Sequence, residues 1–392
     1  MLVGATLAIA VLGLLMVWSA TRSGSGLGGA RPTPFLVRQL AWAVLGVLAM
    51  RAVVSADLDR IRRFTPLAYG VAVTALALVL SPLGSSTHGA QAWFALGPLR
   101  LQPAELVKPV LILALAAHGD RAGGHLDRGR LLGALVIAGL PVGLVVLQPD
   151  LGTAMVLVVM TAALVAVAGA PGRHLALLGL LTGIAVVVVL RVGVLAPYQV
   201  QRLTGFLHQS ADPRGATWNL EQAKIAIGSG GLAGAGLFEG SQTALSYVPE
   251  QHTDFVFTVV GEELGLLGGA TLLALFALVA WRTWRAAWLA PDAFRSLCCV
   301  GVLAMLVFQV FENMGMTMGL TPITGIPLPF VSYGGSSTLA CFAGIGLVAN
   351  VAGGRGRPGV GVFWAGRKPG RTFPAGALVD WYQRDANPLA AD

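Results

Sequence analysis

The chain alternates long apolar stretches with short polar connections. Most of the stretches reach the roughly 20 apolar residues that a helix needs to cross a bilayer. They predict an all-α polytopic membrane protein with about ten transmembrane helices. The first stretch has no basic segment before it, so it is interpreted as a retained span and not as a signal peptide. The predicted spans lie near 2–20, 36–54, 65–83, 101–118, 131–147, 151–170, 174–193, 254–280, 296–316 and 331–352.

The longest connection, 194–253, separates the seventh and eighth predicted spans. Connections beyond about 12–15 residues are usually functional or disordered. Apolar patches at 225–227 and 237–238 predict partial helices lying on the membrane. After 353 the chain becomes rich in Gly, Arg and Pro without periodicity. We therefore expect a membrane domain over 1–353 and a flexible, basic cytoplasmic tail over 354–392.

Composition and charge fit this picture. Only 11% of the residues are charged and 55% are hydrophobic, whereas a soluble domain carries about 25% charge. The net charge of +8 could suggest a nucleic-acid partner. Its Lys and Arg residues, however, lie in short loops and the tail, as membrane topology requires, so no nucleic acid is expected. Most of these cations face the cytoplasm if both termini do, which predicts a multi-pass membrane protein with both termini cytoplasmic.

Asp254 lies where the long loop meets the eighth predicted span. An ionisable group at a membrane boundary costs several kcal/mol unless it is paired, so its presence favours a functional role. A carboxylate there suits a general base, with Glu250, His252 and Thr253 beside it. The alternative is a helix-end carboxylate stabilised by the helix dipole. Glu262 and Glu263 follow roughly 12 Å deeper along a helix, too far to flank the same glycosidic bond, and are predicted to be structural.

Further polar clusters precede other spans. Glu105 and Lys108 stand at i,i+3 on one helix face after Gln102. They form either a structural ion pair or a cationic contact for a lipid phosphate, and the sequence leaves both open. Asp150, two residues after Gln148, either caps the sixth span or belongs to the site.

The connection before the last span, 325–337, contains Ser332 among Pro and Gly residues that break a helix. Such a backbone must line a cavity or water. Ser332 has no evident His partner, which argues against serine-hydrolase chemistry. The chain also lacks a P-loop, an HExxH motif and Cys/His metal spacing, which argues against an ATP pump or a zinc protease and leaves no predicted metal ligands.

Long motifs recur in a recognisable order: GAQAWFALGPLRLQPAELVKP, QPDLGT, VPEQHTDFVFTVVGEELG and TGIPLPFVSYGGSS. Together they resemble the SEDS family (shape, elongation, division and sporulation) of peptidoglycan glycosyltransferases, of the RodA/FtsW type, over about 1–350. The runs at 240–242 and 324–329 are more similar to the RodA branch. Some positions depart from the family pattern, among them Ala92, Ala104 and Ala235.

The resemblance implies a GT-C-like enzyme of about ten spans, with a large extracytoplasmic loop between spans seven and eight. It implies polymerisation of lipid II into β-1,4 glycan strands during elongation, with Asp254 as the catalytic residue. It also implies that the protein lies in the bacterial cytoplasmic (inner) membrane, where it contacts membrane lipids. Its implied partner is a single-span class B penicillin-binding protein. Lipid II carries its sugar on a pyrophosphate. Lys108, Arg202 or Lys224, together with a divalent Mg²⁺ or Mn²⁺ ion, would offset the charge of that pyrophosphate. The positions expected to bind substrate are Trp93, Gln102, Glu105, Lys108, Gln148, Asp150, Arg202, Lys224, Glu250, His252, Thr253 and Ser332.

Two other functions, and a different role within the family, compete with this interpretation. A lipid II flippase would also use broken helices and buried charges, and a scaffold of a cell-wall complex would explain a partner. A flippase needs a path through both leaflets, whereas the polar clusters here precede spans four, six, eight and ten and so crowd one side. That asymmetry favours an outer-face enzyme. A division-branch member of the same family is the remaining alternative.

Overall fold

The computed structural model describes residues 1–22, 32–87, 90–97, 99–123, 126–180, 183, 216–245 and 247–354. Helices dominate, and residues 172–180 are helical as well. The helices with defined bounds are α1 (Leu2–Arg22), α2 (Pro32–Ser55), α3 (Leu58–Val79), α4 (Pro103–Asp120), α5 (Arg128–Leu147), α6 (Leu151–Val167), α7 (Ala216–Ser229), α8 (Ser241–Ala244), α9 (Val256–Trp288), α10 (Ala293–Met318) and α11 (Gly335–Gly353). Three short strands, β1 (Ser85–Thr87), β2 (Ala90–Leu96) and β3 (Leu99–Leu101), follow α3.

The all-α polytopic prediction is confirmed. Within the described residues, α1, α2, α5, α9, α10 and α11 are long and apolar enough to cross a membrane by length and composition, and α6 is a shorter apolar helix. Helices α3 and α4 match the third and fourth predicted spans but carry several charged residues. Most of the seventh predicted span, the loop up to residue 215 and the tail after Gly354 lie outside the described residues. The count of ten spans, the full extent of that loop and the flexibility of the tail therefore stay predictions.

The polar connection between α3 and α4 folds into a small antiparallel sheet in the order β1-β2-β3, which the sequence did not predict. The side-chain amide of Gln91, on β2, donates to Ser81 O at 2.7 Å and so links β2 to the turn before β1. Gly97, with φ of 62°, makes the turn between β2 and β3. β1 and β3 have three residues each, too few to show an alternating pattern, which takes four to eight residues to recognise. β2 has seven residues, but four of them are apolar in a row (Trp93–Leu96), so it does not alternate strictly either.

Helix α9 is interrupted at Gly265, whose φ of 64° and ψ of −161° are not helical. The segment 231–236 supplies hydrogen bonds at the break: Ala235 N donates to Glu262 O at 2.9 Å, and Leu266 N donates to Gly231 O at 2.9 Å. Irregular backbone at membrane depth is tolerated where protein covers it. The approach requires glycine, since a Cβ on Gly234 would lie 2.1 Å from Glu263 O.

The described part of the long loop therefore packs into the bundle at 231–236. The patch at 225–227 is helical within α7, as predicted. The patch at 237–238 is not helical, so that part of the prediction is wrong. Phe238 adopts a φ of 68° and packs edge-on against Trp18 of α1, with ring centroids 5.1 Å apart. Packing against α1 determines the conformation there.

The starts of α4, α6, α9 and α11 meet at one end of the bundle, called here the Asp254 end. The backbone of Gln102, just before α4, donates to the Ser336 hydroxyl at the start of α11 (2.9 Å). A Cβ on Gly152, in the first turn of α6, would lie 2.7 Å from Thr324 O. These close approaches bring connections that are distant in sequence to the same place.

Candidate active site

A tight turn positions Asp254. Glu250 adopts a φ of 51°, and its carbonyl oxygen accepts hydrogen bonds from the backbone N–H groups of Thr253 (3.2 Å), Asp254 (3.1 Å) and Phe255 (3.4 Å). The Thr253 hydroxyl also donates to this carbonyl oxygen, at 3.0 Å. Phe255 is the N-cap residue of α9, and it makes no side-chain cap bond. Neither Thr253 nor Asp254 is therefore the N-cap, although Asp254 lies directly before it, at the start of the helix.

The carboxylate of Asp254 faces the backbone of the segment before the last span. A Cβ built on Gly325 would lie 3.2 Å from Asp254 Oδ2, and Gly325 has a φ of 74° that favours glycine. Asp254 is half-buried. Its carboxylate therefore lies in a partly protected position against a glycine backbone.

An aromatic cluster lies beside this acid. The ring of His252 is 5.2 Å from Phe35 and 5.6 Å from Tyr333, centroid to centroid, and Tyr333 N donates to His252 O at 2.9 Å. Burial lowers the pKa of His252, opposed by the negative charge of Glu250. The imidazole therefore favours its neutral form. Nothing in the sequence indicated that Phe35, on α2, belongs to this cluster.

A second cluster joins the starts of α4 and α6. The Gln102 amide donates to Asp150 Oδ2 at 2.8 Å, and Thr153 N donates to Asp150 Oδ1 at 3.0 Å. Asp150 is thus the N-cap of α6, as the capping interpretation predicted. Burial raises the pKa of Asp150, and the bonds from Thr153 oppose this rise. Gln148 is buried and donates to Leu76 O at 2.9 Å.

Glu105 and Lys108 form a buried ion pair. Lys108 Nζ lies 2.6 Å from Glu105 Oε1, and the two side chains are 1% and 4% exposed respectively. A lipid phosphate cannot reach Nζ in this conformation. The geometry supports the structural ion pair of the two interpretations that the sequence left open.

Of the remaining predicted positions, Ser332, Trp93 and Lys224 lie within the described residues and Arg202 does not. Ser332 is buried and its hydroxyl accepts from Leu328 N at 2.8 Å, so it closes a turn. Trp93 is half-buried on β2, where its carbonyl oxygen accepts from the Ser85 hydroxyl at 3.0 Å. Lys224 is half-buried on α7. Arg202 lies outside the described residues.

The two glutamates of α9 are structural, as expected. Glu262 accepts hydrogen bonds from Gln242 N (2.6 Å), Thr243 N (3.0 Å) and the Thr243 hydroxyl (2.7 Å) at the start of α8. Glu263 accepts from the Ser19 hydroxyl of α1. Both are buried and tie other elements to α9.

Sequence reasoning missed a polar group on α10. The side chain of Asn313 donates to Asp254 O at 2.8 Å and to Ile326 O at 2.7 Å. Glu312 accepts from the Thr324 hydroxyl at 2.9 Å. Both α10 residues are buried. Polar residues within an apolar span were the available signal, because such residues are rare in membrane helices and usually functional.

The chain is similar to known proteins over most of its length. Residues 1–355 match the family model FTSW_RODA_SPOVE, described as cell cycle protein. The chain is 36% identical over 355 residues to the stage V sporulation protein E of Bacillus subtilis, covering 90% of this chain and 96% of that protein. It is 35% identical over 351 residues to the peptidoglycan glycosyltransferase MrdB of Escherichia coli K12, covering 88% and 90%.

A solved structure is similar as well. It is described as "Structural coordination of polymerization and crosslinking by a peptidoglycan synthase complex". The matched chain is 35% identical with a TM-score of 0.73, and the match covers 89% of this chain and 96% of that one.

Proposed function

Because the chain belongs to the SEDS (FtsW/RodA/SpoVE) family of multi-pass membrane proteins, we propose that it is a peptidoglycan glycosyltransferase that polymerises lipid II into β-1,4 glycan strands. The observation that carries the proposal is Asp254, a half-buried carboxylate held by a tight turn against Gly325. It is the base in the proposed reaction.

The reaction joins two lipid-linked sugars. Asp254 takes the proton of the acceptor hydroxyl while the hydroxyl oxygen attacks the anomeric carbon of the donor sugar. The bond from that carbon to the phosphate oxygen breaks on the opposite face, and the electron pair leaves with the pyrophosphate. Attack opposite an α-linked leaving group gives a β linkage. A positioned base contributes about 10²–10⁴-fold to such a step.

One carboxylate suffices because pyrophosphate is already a good leaving group. Three of the other acids have structural roles: Asp150 caps α6, Glu262 binds the start of α8, and Glu105 pairs with Lys108. Lys224 and Arg202 are proposed to offset the pyrophosphate charge. Lys108 would join them only if its ion pair opened.

A divalent cation belongs to the proposal only as a counter-ion of the pyrophosphate. Among the described residues, no three His, Cys, Asp or Glu side chains converge into a metal-binding group. Mg²⁺ is often held by one or two carboxylates together with substrate phosphates. No reaction step is assigned to the cation. If the cation is needed, polymerisation should be lost when a chelator is added and should recover when Mg²⁺ or Mn²⁺ is restored.

Charge distribution and family membership support a proposal for the cellular setting. We place both termini in the cytoplasm and the Asp254 end at the outer face of the cytoplasmic membrane, where lipid II is polymerised. A class B penicillin-binding protein is the proposed partner, supported by the similar chain from a peptidoglycan synthase complex. The proposed role in elongation rests on the motifs at 240–242 and 324–329. Sequence identity does not decide the branch, because the chain is 36% identical to the stage V sporulation protein E and 35% identical to MrdB.

The test is a polymerisation assay with purified protein and labelled lipid II. Asp254→Ala and Asp254→Asn should abolish glycan formation while the proteins stay folded. Glu221→Gln is a matched control, because this exposed carboxylate on α7 has no proposed role. Glycan made equally well by both Asp254 variants would refute the catalytic role.

A second assay separates the enzyme from a flippase. Reconstituted vesicles report movement of labelled lipid II between leaflets, and the enzyme should polymerise substrate supplied to one face. Lipid movement with no polymer, even with the partner added, would favour transport. The site residues described above gather at one end of the bundle, which supports the enzyme.

A further inference from the structure

The proposed base lies between two backbone segments that come from distant parts of the chain. One segment is the turn that leads into α9. The other is the connection 319–334, which contributes Gly325 beside the carboxylate. The position of a catalytic carboxylate matters to within about 0.5 Å, so a contact that holds both segments would also control the reaction rate.

Asn313 makes that contact. Its side-chain Nδ2 donates to the carbonyl oxygen of Asp254 itself (2.8 Å) and to that of Ile326 (2.7 Å), the residue after Gly325. An amide nitrogen has two N–H groups, and these two bonds use both. One side chain therefore links the backbone of the base to the backbone that its carboxylate faces.

The environment makes this link stiff. Asn313 is wholly buried within α10, inside a predicted span. A buried N–H group is costly unless it is hydrogen-bonded, so the arrangement that satisfies both N–H groups of Nδ2 is strongly preferred. The Asn313 Oδ1 atom has no hydrogen-bond partner among the described residues, so the two bonds from Nδ2 are the side chain's hydrogen bonds there. Glu312, the residue before Asn313, accepts a hydrogen bond from the Thr324 hydroxyl at 2.9 Å and so holds the same connection against α10.

We infer that Asn313 is a positioning residue for the glycosyl transfer, acting through the backbone of Asp254 and not through contact with substrate. The inference rests on the proposed function. Losing the link loosens the contact between the two segments at Asp254 and Ile326 while leaving the carboxylate chemically intact, and the bond from Tyr333 N to His252 O still joins the segments elsewhere. Because a misplacement of about 1 Å can cost about 100-fold in rate, Asn313→Leu should lower kcat by about 10- to 100-fold and change KM for lipid II by less than about twofold.

Gln309→Leu is the matched control. Gln309 lies one turn earlier on α10, is equally buried, and neither of its side-chain polar atoms has a hydrogen-bond partner within the described part of the chain. Its replacement removes a buried amide from the same helix without touching Asp254. We expect wild-type kcat from this variant.

The experiment measures kcat and KM per folded protein, with the folded fraction and the thermal midpoint determined for each variant. If Asn313→Leu does not purify as a folded protein, Asn313→Ser serves instead, since it removes both amide N–H groups but keeps a polar side chain at the buried position. A reduced kcat with unchanged KM, beside a normal Gln309→Leu, supports the inference. Wild-type kcat per folded protein, or a rise in KM alone, overturns it. Wild-type protein that makes no glycan would instead count against the proposed function.

Discussion

Replacing Lys108 by Met would leave the Glu105 carboxylate buried without its partner. The pair is short, at 2.6 Å, and almost inaccessible. Glu105 Oε2 has no hydrogen-bond partner among the described residues, so the ammonium group is the main described contact of this acid. Breaking a buried pair by removing one member costs about 3–5 kcal/mol. Replacing both members by apolar side chains of similar size is often neutral or stabilising.

These magnitudes give an order of stability. Lys108→Met and Glu105→Leu should each be destabilised by about 3–5 kcal/mol, and the double variant should recover most of that loss. Arg60→Met, at an exposed position on α3, should stay within about 0.5 kcal/mol of wild type. The assay is thermal unfolding of purified protein in detergent, followed by the loss of the monodisperse species.

The same variants decide between the two interpretations of this pair. A structural pair predicts lost stability and near-normal polymerisation by the molecules that remain folded. A phosphate contact predicts a raised KM for lipid II with stability unchanged. A Lys108→Met protein as stable as wild type would refute the structural interpretation.

Three further predictions concern the surroundings of Asp254. Gly325→Ala introduces a side chain at φ of 74° and 3.2 Å from Asp254 Oδ2, so polymerisation measured per folded protein should fall at least about tenfold and stability by about 1–2 kcal/mol; Gly70→Ala, with open space around it, should behave as wild type. Glu262→Gln weakens three bonds to α8 and should lower the thermal stability by about 1–3 kcal/mol without changing kcat per folded protein; a lost kcat at normal stability would contradict this. Burial lowers the pKa of His252, so below its ordinary value of about 6.5 the unfolded chain binds more protons and stability should fall as the pH drops. His252→Phe should show a shallower fall in thermal midpoint from about pH 7 to about pH 5, and an unchanged slope would show that another group causes the effect.

Several features could be predicted from local sequence because local physics decides them. The apolar stretches predicted the membrane helices, since a chain in lipid must satisfy its backbone hydrogen bonds internally. The i,i+3 spacing of Glu105 and Lys108 predicted a pair on one helix face. Asp150 was recognisable as a cap because an N-cap bonds to the backbone three residues later. Asp254 was noticeable because an ionisable group at a predicted membrane boundary is costly unless it is paired, which favours a functional role.

Other features depend on contacts that no local pattern contains. Asn313 meets Asp254 across 59 positions, and Phe35 of α2 reaches His252 through the packing of α2 against the connection before α11. The break at Gly265 is tolerated only because 231–236 fills it. The sequence by itself determined which segments are apolar enough to enter the membrane and singled out Asp254 as the acid at a predicted boundary, through hydrophobicity and spacing. Only the tertiary structure decided what surrounds that acid, because the surrounding groups come from helices whose relative positions are set by packing.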